Sequence, residues 1–242
     1  MGFVSAGDVP DAIALNVRSV RERISRACER VRRSADAVTL VCVTKAVSVA
    51  RIRHALALGI RDIGENRFQE AEPKIADLEG EDIHWHFLGR VQSNKLRKIF
   101  DHFATVQSVD RHEVLEKADR HLAERGFSRE VFLEVNISQD RAKAGFRAEE
   151  VKAFFRSGQA RRFPHLRIQG LMGVGPLTGD GDAIRAAFRE LKTLFDWVRS
   201  LDQAVQVLSM GMSEDFELAI EEGSTMVRLG TAIFGERMVS HG

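Results

Sequence analysis

A lysine stands at the end of an apolar run, in the segment Leu-Val-Cys-Val-Thr-Lys that finishes at Lys45. A lysine amine attacks an aldehyde to form a Schiff base when the amine is neutral. The rim of an apolar core favours the neutral amine, because loss of water penalises the ammonium. A lone strand-end lysine, however, is far more often a surface residue whose head reaches water. Lys45 therefore indicates covalent chemistry only if other groups accompany it.

Two segments of glycine and hydroxyl residues follow late in the chain, and their members are Ser209, Gly211, Ser213, Arg228, Gly230 and Thr231. The glycines let backbone amides approach an anion closely, the hydroxyls and following helix N-termini donate hydrogen bonds, and the arginine adds a fixed cation. This pattern predicts a phosphate site. The simpler alternative is two ordinary turns, with Ser213 as a helix cap. Because Glu214 and Asp215 follow, a phosphate must approach from a side that these carboxylates do not face.

Three further residues end predicted strands near these groups. Asn66 and His86 are suited to hydrogen-bond or stack on a flat ring, although either could equally orient a loop. Met172 is expected to line the pocket because of its strand-end position, whereas methionine is more often a core residue. His84 and His86 share a strand face, but no third ligand stands at a supporting spacing, so no metal site is predicted. Lys95, Arg97 and Lys98 form a basic patch that is either solvated or contacts an anionic partner.

Short apolar runs alternate with helical periodicity, which is typical of repeated βα units and a parallel sheet. Eight strands are predicted, at residues 38–44, 62–64, 84–88, 102–106, 130–135, 168–172, 206–209 and 225–229. Eight such strands favour a closed (β/α)8 barrel, because closure leaves no strand edge to protect. In such barrels functional residues gather at the carboxyl ends of the strands, where the residues above fall. An additional amphipathic helix at 11–33 is expected to cover the bottom of the barrel.

The length of 242 residues fits one domain spanning 1–242. Lys and Arg total 36 against 35 Asp and Glu, so the net charge of +1 provides no global field that would attract nucleic acid or a membrane surface. Cys28 and Cys42 are predicted to be reduced thiols of an intracellular protein. The N-terminal residues lack the pattern of a signal peptide, and we expect a cytoplasmic protein.

These residues resemble the YggS/PROSC family of pyridoxal phosphate (PLP) homeostasis proteins. The resemblance is carried by LVCVTK at 40–45, GENRFQEAEPK at 64–74, WHFLGRVQSNKLRKI at 85–99, GLMGVGP at 170–176 and LSMGMSEDFELAIEEGSTMVRLGTAIFGER at 208–237. It implies the barrel of the alanine racemase N-terminal domain, a monomer, a Schiff base between PLP and Lys45, and a phosphate held by the two glycine-rich segments. It further implies a role in vitamin B6 and amino-acid homeostasis, with PLP-dependent apoenzymes as possible clients.

Two positions depart from the family pattern. Val47 replaces the second lysine of the usual Lys-Thr-Lys-Pro, which puts in doubt any role of that lysine in cofactor transfer. Arg67 replaces a tyrosine after Gly-Glu-Asn. The alternative function is a PLP-dependent enzyme with weak racemase-type activity. Related racemases are expected to use a tyrosine from a second domain as one of two bases, and this sequence contains no tyrosine. A carrier without strong turnover is therefore favoured, and whether Arg228 faces the pyridine nitrogen or the phosphate stays open.

Overall fold

Eight parallel strands close into a barrel in the computed structural model, which describes residues 11–137, 144–176 and 178–235. The strands are β1 (Thr39–Val43), β2 (Asp62–Glu65), β3 (His84–Phe87), β4 (Thr105–Val109), β5 (Arg129–Val135), β6 (Leu166–Gly173), β7 (Val207–Ser209) and β8 (Met226–Leu229). Each strand pairs with its neighbours in chain order, and β8 pairs with β1. The predicted (β/α)8 fold is confirmed.

Helices follow the strands and cover the outside of the barrel. They are α1 (Ala12–Arg30), α2 (Val49–Ala57), α3 (Phe68–Asp77), α4 (Leu96–His102), α5 (His112–Arg125), α6 (Ala148–Arg156), α7 (Gly181–Leu201), α8 (Phe216–Glu221) and α9 (Thr231–Phe234). Their apolar stripes face the strands, as Phe188, Leu191 and Phe195 of α7 do at helical spacing. Within the described ranges, no helix combines the length and the apolar character needed to cross a bilayer.

Alternation along each strand separates two apolar regions. Val41 packs with Phe132, Met172 and Met226 in a small cluster inside the barrel, whereas Cys42 belongs to the large core between strands and helices. Side chains two residues apart share a face. The residues that continue the inward-facing series beyond the interior cluster therefore line the mouth at the carboxyl ends of the strands.

The fourth strand was predicted wrongly at 102–106, three residues too early. His102 is the last residue of α4, and β4 continues to Val109. Polar residues such as Gln107 and Ser108 favour a loop when only the sequence is considered. Both are buried, and both have partners: Gln107 bonds within the barrel, and the Ser108 hydroxyl donates to the Gly89 carbonyl at 2.5 Å.

The additional N-terminal helix is confirmed, but its expected position is wrong. Helix α1 lies in the outer helical layer, where it packs against α2, α8 and α9. The Arg23 guanidinium bonds Glu217 at 2.9 Å, and the Asn16 amide donates to the Ile233 carbonyl at 2.9 Å. The helix that follows β8, α9, has only four residues in the described part of the chain. Helix α1 packs beside it among the outer helices, and not across the bottom as expected.

Candidate functional site

Lys45 lies directly after β1 at the carboxyl end of the barrel. The preceding residue still pairs with β2, because the Thr44 N–H donates to the Gly64 carbonyl at 2.9 Å. The Thr44 side chain turns outward, where it bonds Glu65, and alternation directs Lys45 toward the barrel mouth. Lys45 is half-buried, and its amine has no hydrogen bond or ion pair with any residue that the structure describes. It is a partly shielded amine with no competing partner.

A buried polar cluster fixes the main chain on both sides of Lys45. The Lys74 ammonium donates to the Glu65 carboxylate at 2.7 Å, to the Thr44 carbonyl at 2.8 Å and to the Glu70 carboxylate at 3.0 Å. Glu70 also accepts the N–H of Ala46, which adopts a left-handed φ of 59°. Glu65 is fully buried, and burial raises its pKa although the Lys74 and Thr44 hydrogen bonds oppose the rise. The sequence analysis missed this cluster.

A chain of hydrogen bonds crosses the barrel interior from β2 to β8. Asp62 bonds His86 Nε2 at 2.9 Å, and the Gln107 amide bonds His86 Nδ1 at 3.0 Å. The Ser209 hydroxyl donates to the Gln107 carbonyl at 2.7 Å, and Arg228 donates to the Ser209 oxygen at 2.7 Å. This chain, from Asp62 to Arg228, is called the polar floor below.

The polar floor has one consistent set of proton positions. Burial lowers the pKa of His86, so its ring is neutral and carries one N–H. The Gln107 amide must donate to Nδ1, and the N–H of His86 therefore stands on Nε2 and donates to Asp62. His86 is 2% exposed and both of its nitrogens are engaged. In the structure His86 therefore orients the Gln107 side chain. The sequence did not indicate this contact, because Gln107 lies beyond the predicted end of the fourth strand.

Arg228 and Glu134 place opposite charges at the inner end of the mouth. Arg228 is 5% exposed, donates a further bond to the Gly173 carbonyl at 3.0 Å, and has its pKa lowered to about 10 by burial. Burial raises the pKa of Glu134 to about 7, the nearby Asp110 adds to the rise, and Arg228 opposes it. Glu134 was not singled out from the sequence, because it lies inside the apolar run of β5.

The two glycine-rich segments meet at the rim. The Ser213 hydroxyl accepts the N–H of Ala232 at 3.2 Å, which joins the loop after β7 to the start of α9. Ser213 is not a helix cap: α8 begins at Phe216, and Asp215 accepts the Met212 N–H at 2.6 Å. The alternative in which Ser213 caps the helix is therefore wrong, since a turn precedes the helix. Gly211 has φ +98°, and a Cβ there would stand 2.6 Å from the Ala219 side chain, so a larger residue is excluded.

The predicted residues thus fall into groups with different surroundings. Those at the rim are Lys45, Asn66, Ser213, Gly230 and Thr231, of which Asn66 and Thr231 are exposed. His86, Ser209 and Arg228 belong to the polar floor. Met172 is 2% exposed and belongs to the interior apolar cluster, where it is the register partner of Ser209. Gly211 shapes the loop after β7.

The histidine pair has structural partners. The rings of His84 and His86 lie 4.6 Å apart, and His84 Nε2 bonds the Thr105 hydroxyl at 2.7 Å. Within residues 11–137, 144–176 and 178–235, no three His, Cys, Asp or Glu side chains are grouped to hold a metal ion.

Comparison with known proteins agrees with this geometry. A family model described as alanine racemase, N-terminal domain, matches residues 11–238. The pyridoxal phosphate homeostasis protein of Pseudomonas aeruginosa is 40% identical over 225 residues, which make up 93% of this chain and 96% of that protein. PipY of Synechococcus elongatus, solved with PLP bound, has a TM-score of 0.79 at 34% identity, covering 92% of this chain and 100% of PipY. Alanine racemase of Corynebacterium glutamicum shares the fold at 18% identity, with a TM-score of 0.69 over 96% of this chain and 62% of the racemase.

Proposed function

Because the chain belongs to the family of pyridoxal phosphate homeostasis proteins, built on the barrel of the alanine racemase N-terminal domain, we propose that it binds PLP as a Schiff base on Lys45. Its role is intracellular vitamin B6 and amino-acid homeostasis. The observation that carries the proposal is the amine of Lys45, half-buried at the barrel mouth and without a competing partner among the described residues. The PLP-bound structure of PipY supports the same cofactor.

The residues around the mouth fit this cofactor. Ser213 and Thr231 provide hydroxyls for the phosphate at the rim. Gly230 leaves room beside them, since an added Cβ would stand 3.2 Å from the Val43 carbonyl oxygen. When bound, PLP supplies an electrophilic aldehyde and an aromatic ring that withdraws electrons. Asn66 is available at the rim to contact that ring.

Arg228 is assigned to the pyridine nitrogen rather than to the phosphate. It is held in the polar floor by Ser209 and Gly173, below the rim where Ser213 and Thr231 lie. An arginine at that position would donate a hydrogen bond to the ring nitrogen and would not keep it protonated, whereas a carboxylate would. The ring would then withdraw electrons less strongly, which favours holding the cofactor over driving a reaction.

The alternative is a PLP-dependent enzyme with weak racemase-type activity. The absence of tyrosine from the sequence excludes a second base of that type, so reaction by Lys45 alone would be the remaining route. We favour the carrier, a cytoplasmic monomer that neither enters a membrane nor binds nucleic acid and whose clients are PLP-dependent apoenzymes. Assays of loaded protein for racemisation, beside transfer of PLP to an apoenzyme, separate the two functions.

The covalent assignment is tested with Lys45→Ala and, as a matched control, Lys117→Ala on the exposed face of α5. Loaded wild-type and control proteins are expected to show the visible absorbance of a protein-bound Schiff base, and Lys45→Ala to lack it. Borohydride reduction followed by peptide mapping should place the cofactor on Lys45. Circular dichroism checks that the variant folds. Cofactor found on another lysine, or none bound to wild-type protein, refutes the proposal.

A further inference from the structure

A second cleft lies at the same end of the barrel, outside the mouth, between the loops that follow β2 and β3. It has a volume of about 500 Å³, which is within the range of small-molecule sites. Three cationic side chains line it, Arg67, Arg90 and Lys95, and no carboxylate does. The lining of the cleft therefore carries three positive charges in a protein whose net charge is only +1.

Two of these cations lack a close side-chain partner among the described residues. The side chains of Arg67 and Lys95 form no hydrogen bond or ion pair with another residue in the described part of the chain, and the nearest electrostatic influence on Arg67 is that of Glu70. Lys95 is half-buried, and a cation held partly out of water without a counter-ion is costly unless an anion joins it. Arg90 is closest to Asp110, at 3.4 Å, with its side chain 72% exposed, so it is able to turn toward the cleft.

The remaining wall adds donors. Phe68 and Gln69, the first residues of α3, line the cleft, and no side chain caps that helix. Their N–H groups lie at the positive end of a ten-residue helix. The amides of Asn66 and Gln92 provide neutral donors beside them. The floor is apolar, which weakens screening of charge inside the cleft.

From this arrangement we infer that the cleft binds a small multivalent anion, either a phosphate ester or a di- or tricarboxylate. A concave cleft lined by three cations and no carboxylate suits a small anion better than it suits a flat protein surface. This site is separate from the one at Lys45 and does not depend on the proposed cofactor. It lies against Asn66, so an anion bound there would contact the loop that borders the barrel mouth.

The test uses two double variants with the same loss of charge. Arg67→Gln with Lys95→Gln removes the unpaired cations of the cleft, whereas Arg97→Gln with Lys98→Gln removes neighbouring cations that do not line it. Inorganic pyrophosphate is titrated by calorimetry into PLP-treated protein at fixed ionic strength. We expect the dissociation constant to rise about tenfold or more in the cleft variant, because two charge-assisted contacts are lost, and to change less than about twofold in the control.

Amide chemical shifts of Gln92 and Lys95 should move on titration of wild-type protein, which locates the site independently of affinity. Equal weakening in both variants, or unchanged binding in the cleft variant, overturns the inference. A hexaglutamate peptide is titrated in parallel: if it moves the same amides while pyrophosphate does not, the cleft receives an acidic protein segment and the small-molecule inference is wrong. Failure of wild-type protein to bind PLP, which would refute the proposed function, leaves these outcomes unaffected.

Discussion

Glu134 shows how the barrel changes the chemistry of a single side chain. In water a glutamate is ionised well below neutral pH, but burial and the neighbouring Asp110 raise the pKa of Glu134 to about 7, against the attraction of Arg228 and Arg90. The group is therefore protonated over a range in which the unfolded chain would carry its charge. A carboxyl group that changes charge near neutral pH stands at the inner end of the proposed cofactor site.

The stability of the protein is predicted to fall with rising pH because of Glu134. Since its folded-state pKa is raised above the unfolded value of 4.5, the stabilisation is fully present below pH 4.5 and is lost as the pH rises through about 7. Glu134→Gln should remove this part of the pH dependence, a difference of roughly 2–3 kcal/mol in unfolding free energy between pH 4.5 and 8. Urea unfolding across that range measures it.

The control is Glu124→Gln, which removes an exposed carboxylate from α5 and should leave the pH dependence of wild-type protein in place. If Glu134→Gln retains the full wild-type dependence, Glu134 does not titrate in this window and the geometric account of its burial is wrong.

At the scale of elements, Lys74 connects α3 to the ends of β1 and β2. Its ammonium neutralises the buried Glu65 and holds the Thr44 carbonyl, so one side chain from a helix sets the position of the strand that carries Lys45. Loops are generally more mobile than the strands they follow, so contacts of this kind hold the turn after β1 in place. The cluster explains how a turn containing the left-handed Ala46 is maintained without a glycine.

Lys74→Met is expected to destabilise the protein by about 3 kcal/mol, because it leaves Glu65 buried without its counter-charge. Adding Glu65→Gln should recover part of the loss, since the amide needs no cation. Lys117→Met, an exposed control, should cost less than about 0.5 kcal/mol. Chemical denaturation provides all the values, and additive effects of Lys74→Met and Glu65→Gln would argue against direct coupling.

The loops after β2 and β3 approach each other at Gly89, where a Cβ would stand 1.8 Å from the Asn66 carbonyl oxygen. Gly89→Ala must therefore push the two loops apart, and we expect a loss of about 1–3 kcal/mol in unfolding free energy. Gly179→Ala is the control, since no heavy atom lies within 4 Å of its added Cβ. Equal stability of the two variants in urea would show that the loops do not pack as closely as described.

For the whole molecule, α1 joins the first and last repeats by packing against α2, α8 and α9. Strand β1 pairs with β8, and α1 packs against helices from the first and last repeats. The two ends of the described chain are therefore in contact with each other. We therefore propose a single cooperative domain.

Unfolding is predicted to follow one transition when observed by far-ultraviolet circular dichroism and by fluorescence of Trp85 and Trp197, which lie in β3 and α7. Ile24→Ala, at a buried position of α1, should lower both midpoints equally, with a loss of about 2–5 kcal/mol. Leu15→Ala, at an exposed position of the same helix, should have little effect. Loss of helical signal before the fluorescence change would mean that α1 unfolds separately.

The amino-acid sequence alone predicts the barrel, because the alternation of apolar runs and helical periodicity is a local property of the backbone. It also places Lys45, Ser213 and Thr231 at the carboxyl ends of strands, since the end of an apolar run marks the end of a strand. The family resemblance rests on the same segments, and the matching relatives confirm it.

The tertiary structure decides which polar groups are buried, because their partners come from distant parts of the chain. Gln107 is buried inside β4 because Ser209, 102 residues away, donates a hydrogen bond to its side chain. The sequence does not distinguish Lys95 from Lys98, since both belong to the same basic patch. In the structure Lys98 forms an ion pair with Glu72, whereas Lys95 lines the cleft. A polar side chain can be buried inside a strand or below the barrel mouth only when another group provides its hydrogen bond. The local sequence does not show whether such a partner exists, because the partner comes from another part of the chain.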